Sequence, residues 1–165
     1  MKALQPRSKH KQSVRSPEFL RTAKALLLRR RTAEAINLLR RGLNLDPTCN
    51  EAALLLAKSL VADKRLQEAR SALEKLLDRL EGDEQLEPFI LLVRVLLVQH
   101  EANEALRVLE QAQETFPEEE RLKELHTKAL DQLDEQVYSL IEKDVVDHEH
   151  ELEQSLDDED LPTIN

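Results

Sequence analysis

The sequence predicts an all-α fold, and three observations predict it. Leucine fills 33 of the 165 positions, and Leu and Ala supply most of an apolar fraction of 41%. Both are strong helix formers, whereas β-branched and aromatic residues favour sheets. Aromatics are only 2% and tryptophan is absent. Two glycines leave few of the tight turns that an all-β chain needs. A sandwich, a barrel and a Gly-rich phosphate loop are excluded, and a large α/β enzyme is disfavoured. The length suits one domain of the usual ~100–200 residues.

Each element follows from local signals. Residues 1–15 carry Lys2, Arg7, Lys9, Lys11 and Arg15 without an acid. They hold too little apolar surface to offset ordering entropy, which predicts a basic disordered arm. Ser16-Pro17-Glu18 reads as a helix start, with a capping hydroxyl, a Pro at the first turn and an acid at the positive dipole end. Helices are expected at about 17–30, 32–45, 50–63, 65–80, 86–99 and 102–114. Asp46-Pro47, Glu81-Gly82-Asp83 and Thr115-Phe116-Pro117 break the chain between pairs. A longer helix over about 118–143 carries Leu122, Leu125, Ala129, Leu133, Val137 and Leu140 at helical spacing, one apolar stripe. Residues 144–165 read as an acidic, mostly disordered tail.

Charge is polarised along the chain. Residues 1–45 hold 12 Lys/Arg and 2 acids, whereas residues 46–165 hold 12 and 31. Such asymmetry marks interaction surfaces or tails. Cys49 is the one cysteine, so no intramolecular disulfide forms. Residues 1–16 lack an apolar run, and Phe89 to Val98, broken by Arg94, is the longest apolar stretch. Neither a signal peptide nor a membrane span is expected, and the location expected is cytoplasmic.

The second helices repeat. Glu34-Ala35 to Leu39, Glu68-Ala69 to Leu73 and Glu104-Ala105 to Leu109 carry Glu-Ala-x-x-x-Leu at offsets of 34 and then 36 residues. Twelve residues before each Ala stands Ala23, Ala57 or Val93, and twelve after the first and third stands Pro47 or Pro117. On these residues the chain resembles the tetratricopeptide repeat family, whose unit is a 34-residue antiparallel helix pair. The resemblance covers about 16–143, with units starting at Ser16, Asn50 and Leu86. It implies a short right-handed helical-repeat solenoid of three antiparallel helix pairs plus a long C-terminal capping helix. Small residues at unit positions 8 and 20 suit the close crossing of two helices. A last helix with a polar outer side suits a terminal cap. The departures are that only Phe19 and Phe89 supply the family's aromatics, that Glu81 stands for the middle unit's Pro, and that two extra residues precede the third unit.

The resemblance also implies a groove. Position 9 of each first helix faces it, and this position reads Lys24, Lys58, Arg94 and, in the last helix, Lys128. Leu20, Leu54 and Ile90 stand at position 5, Leu27, Val61 and Leu97 at position 12, and Leu28, Ala62 and Val98 at position 13. A cation column beside an apolar floor suits an acidic, amphipathic peptide or helix of another protein. Neither the Lys at position 5 nor the Asn at position 9 of the family's carboxylate-clamp subgroup is present, so that function is not implied.

Catalytic chemistry finds no foothold. Cys49 has no histidine near it in the repeat geometry and reads as a small packed hydrophobe. His148 and His150 flank Glu149 and would point to different faces of a helix, which does not suit a shared metal. No cofactor and no metal is expected. Arg29-Arg30-Arg31, Arg40-Arg41 and the basic arm raise nucleic acid as an alternative, but no groove aromatic offers base stacking. The predicted function is a non-catalytic adaptor for another protein, working as a monomer without membrane contact. The alternatives are a homo-oligomer built through the capping helix or the convex face, and nucleic-acid association through the arm. Val145, Val146, Leu152 and Leu156 alternate with acids, so intramolecular docking of the acidic tail on the groove is a further expectation.

Overall fold

The computed structural model describes residues 18–157, with side chains through Lys143. Seven α-helices run in order: α1 (Glu18–Leu28), α2 (Thr32–Leu45), α3 (Asn50–Ala62), α4 (Leu66–Leu77), α5 (Leu86–Val98), α6 (Ala102–Thr115) and α7 (Glu120–Asp157). Among the described residues there is no strand. The pairs α1–α2, α3–α4 and α5–α6 stack in chain order, with α7 against α5 and α6. Ser16, Pro17 and the basic arm lie outside the described residues.

The turn inside each pair is the same device three times. Arg30, Lys64 and His100 have φ of 59°, 60° and 59°. Each lets the following amide reach back to close the first helix: Arg31 N–H donates to Leu26 O at 3.0 Å, and Arg65 and Glu101 donate to Leu60 O and Leu96 O at 2.9 Å. This is the left-handed C-cap that usually employs Gly, occupied here by ordinary side chains.

Between pairs the chain is stopped differently. Pro47 and Pro117 follow α2 and α6, whose last carbonyl turns are met by Asp46 N–H and Phe116 N–H. Asp46 Oδ1 also accepts from the Thr48 amide at 3.2 Å. The middle pair has no such Pro, and its two extra residues are taken up by a 3-10 turn over Gly82–Gln85 that starts on Gly82 at φ 58°.

Burial follows the repeat. Ala23, Ala57 and Val93 of the first helices and Ala35, Ala69 and Ala105 of the second are fully buried. A second crossing alternates large and small. Phe19 lies over Gly42, where a Cβ would come within 2.2 Å of its ring. In the middle pair the same two places hold Ala53 and a fully buried Leu76, joined in one cluster. In the third they hold Phe89 and Ala112, both buried. The absent aromatic of the middle pair is therefore made up from the opposite helix.

Helix α7 caps the stack. Leu122, Leu125 and Ala129 are buried, whereas Lys123 and Thr127, at the places where first helices pack on their own partner, are exposed. Gln132 Nε2 donates to Leu97 O at 3.0 Å, and Gln136 Nε2 donates to His100 O at 2.7 Å, which pins α7 to the last turn. The helix expected to stop near residue 143 runs on to Asp157. Residues 158–165 lie outside the described residues, as do the side chains from 144 onward, so the docking expected of Val145 to Leu156 falls there. Among the described residues no helix is long and apolar enough to cross a membrane.

Candidate protein-binding site

The first helices α1, α3, α5 and α7 form one side of the stack. Lys24, Lys58, Arg94 and Lys128 all lie exposed along it. The apolar residues expected beside them divide into two sets. Leu20 (0%) and Ile90 (2%) are core residues and give a ligand no surface. Leu54, Leu27, Val61 and Leu97 are half-buried. The most exposed apolar area is at position 13, at the helix ends, where Leu28 is 86% and Val98 64% exposed.

The cation column is partly neutralised by a second column. Lys24 Nζ meets Glu51 at 2.5 Å, and Lys58 Nζ meets Glu87 at 3.0 Å. Each pair joins position 9 of one first helix to position 2 of the next. The third rung would join Arg94 to position 2 of α7, and that residue is Arg121. Arg121 turns to Glu119 at 2.6 Å and to Glu87 at 3.5 Å. Lys58 holds the Glu87 carboxyl below its ordinary pKa, burial opposes this, and Arg121 and Arg94 add to the lowering. One carboxylate thus serves three cations, and the ladder ends in like charges.

The second helices carry a different feature. A cleft of about 740 Å³ lies between α2 and α4, floored by Leu56 and Leu60 of α3. Apolar Leu43, Ala53 and Ala72 line it, with the charged residues Arg40, Lys75, Arg79, Glu68 and Asp78. Arg40 pairs with Glu68, and the Arg79 guanidinium donates to Pro47 O. The room comes from Ser71 and Ala72 of α4, which stand where α2 has Asn37 and Leu38 and α6 has Arg107 and Val108. Its size falls within the ~300–1,000 Å³ of ordinary ligand sites.

Sequence reasoning passed over both Glu51 and Glu87 and the cleft. The signal for the first was the series Glu51, Glu87, Arg121 at repeat spacing; for the second it was Ala72 against Leu38 and Val108. Among the described residues no group of three or more His, Cys, Asp or Glu could hold a metal ion.

Comparison with known proteins agrees with the architecture. Residues 26–89 match the model of the tetratricopeptide repeat family. The solved structure of MamA residues 41 to end from Desulfovibrio magneticus RS-1 superposes with a TM-score of 0.62 at 24% identity, covering 75% of this chain and 68% of that one. A second MamA RS-1 structure, the ArsTM double mutant, gives 0.62 at 25% identity over the same shares of the two chains. No curated protein sequence matches the chain. Over residues 26–89 the chain is thus similar to the tetratricopeptide repeat family, and its helix pairs stack as those of the two MamA structures do.

Proposed function

We infer that the chain is a non-catalytic cytoplasmic adaptor whose first-helix face holds an acidic, amphipathic peptide or helix of another protein. Apolar anchors of the ligand rest on Leu27, Val61 and Leu97 and on the exposed Leu28 and Val98. Its carboxylates go to the end of the groove near α7. One observation carries this reading. The first two rungs set Lys over Glu, while α7 places Arg121 where an acid would meet Arg94. Arg121 is taken by Glu119 and Glu87, and Arg94, with no ion pair among the described side chains, is left for an outside acid to neutralise. In the N-terminal rungs Lys24 and Lys58 already face Glu51 and Glu87, in exposed ion pairs worth only ~0–1 kcal/mol each.

The test uses two labelled peptides with Leu at helical spacing, one with Glu and one with Lys at the intervening positions. The acidic peptide binds, and the basic one does not. Arg94→Glu with Lys128→Glu weakens the acidic peptide at least about tenfold, close to the ~1.4 kcal/mol of one decade in affinity, without changing helicity. Wild-type affinity falls between ~0.1 and ~1 M salt, as the screening length shrinks from ~10 to ~3 Å. Equal binding of the two peptides, or a folded double variant with full affinity, removes the reading.

A further inference from the structure

Two unpartnered surfaces of this chain complement each other. The first is the half of α7 that projects past the solenoid. Beyond Gln136, the last residue pinned to the His100 turn, Val137 (47%), Tyr138 (70%), Leu140 (63%) and Ile141 (54%) are exposed. Val137, Leu140 and Ile141 fall at i, i+3 and i+4, one face of the helix. The sequence from 130 to 157 holds ten acids and one Lys. Large apolar side chains on an acidic helix are a surface that a solvated rod does not need.

The second surface is the cleft between α2 and α4. Its floor is apolar, and its small residues Ser71 and Ala72 let another helix approach closely. Its charged lining is Arg40, Lys75 and Arg79 against Glu68 and Asp78, a net of one positive charge, and Arg40 and Glu68 pair with each other. Lys75 on the α4 wall makes no ion pair among the described side chains.

We propose that the projecting half of α7 from one copy docks in the α2–α4 cleft of a second copy. The occupant comes from a second copy because α7 is one continuous helix to Asp157, so it cannot bend back onto α2 and α4 of its own chain. Pairing α7 with a second α7 would set two strongly acidic helices side by side, whereas the cleft lining is positive by one charge and presents Lys75 and Arg79 without an acid paired to either among the described side chains. The two faces differ, so the contact is heterologous. It repeats head to tail and closes only if the rotation between copies allows it. This surface is separate from the first-helix groove, and either inference stands if the other fails.

The test splits the contact into halves. Ala72→Leu with Lys75→Glu fills the cleft with the residue that α2 carries at the same place and reverses one rim charge. Val137→Ala, Leu140→Ala and Ile141→Ala strip the helix face with a good helix former. Circular dichroism and melting confirm that both variants stay folded. Sedimentation of the wild type then shows a mass that rises with concentration above the 19.0 kDa of one chain. Each variant alone stays at one chain mass. Mixed, they form a pair of twice that mass and stop there, because one cleft and one helix remain intact. If the cleft variant alone still associates, α7 meets α7 and the proposal is wrong. A wild type that stays at one chain mass up to millimolar concentration also overturns it, as does a mixture that forms no pair.

Discussion

The first and middle helix pairs close the same crossing in opposite ways. In the first, the large residue is on the entering helix and the small one on the returning helix, Phe19 over Gly42. In the middle, the small residue enters and the large one returns, Ala53 and Leu76. The third pair, Phe89 with Ala112, follows the first. What the fold holds constant at this crossing is the volume shared by two facing positions, not the identity of either. Cores accept such exchanges when total volume is kept.

The largest effect is expected where the exchange has left one residue to fill the crossing alone. Leu76 is fully buried and faces an alanine. Leu76→Ala leaves two alanines facing each other, and the lost methylenes and the cavity together cost about 2–5 kcal/mol. Denaturant unfolding measures it. A loss under about 1 kcal/mol would show that the surrounding helices collapse onto the gap and that the crossing is not filled by this pair.

A swap tests the same idea in the first pair. Gly42→Leu drives a side chain into the Phe19 ring, since even a Cβ would come within 2.2 Å of it. Overpacking costs ~1–3 kcal/mol, and about 1 kcal/mol returns because Gly is a poor helix residue. Gly42→Leu combined with Phe19→Ala rebuilds the arrangement of Ala53 and Leu76. The double variant is expected to be more stable than Gly42→Leu alone, with a coupling of ~0.5–3 kcal/mol between the two sites. Additive losses would mean that the two crossings are not equivalent.

The comparison also separates what was legible in the sequence from what was not. The helix pairs were legible because Ala35, Ala69 and Ala105 recur at repeat spacing, and burial at the closest crossings admits little else. Each helix boundary within the repeats was found to within a few residues for the same reason. The Ala53–Leu76 exchange was not legible. Seen along the chain, Ala53 is only a missing aromatic, and its compensation lies 23 residues away on another helix. In the candidate groove the exposure of the side chains divides by position. The cations of position 9 lie exposed, but Leu20 and Ile90 are buried, because position 5 falls on the side of α1 and α5 that packs against neighbouring helices. The acids Glu51 and Glu87 went unseen because in a chain with 33 acids a single Glu carries no signal. Only the lateral register of stacked helices gives it a partner. The length of α7 was missed since the acidic composition of 144–157 argues against order, whereas the structure continues the helix to Asp157.

The smallest expected effect marks where the exchange rule stops. Side chains at a crossing can trade volume because each has a facing partner. The residue that turns the chain inside each pair has none, and its backbone must take φ near +60° whatever stands there. Arg30, Lys64 and His100 all do so. Lys64 is the clean position, since it is exposed and lies far from the hydrogen bonds that His100 makes with Gln132 and Gln136. An L side chain in this region costs ~1–2 kcal/mol, and Gly returns ~0.5–1 kcal/mol of that through its freer unfolded state. Lys64→Gly should therefore stabilise by roughly 0–1 kcal/mol and raise the melting temperature by a few degrees at most. Lys64→Ala keeps the same backbone strain and should gain nothing. A Gly variant that melts below the Ala variant would mean that the Lys64 side chain holds the turn by its own contacts, and that the three turns are not one device.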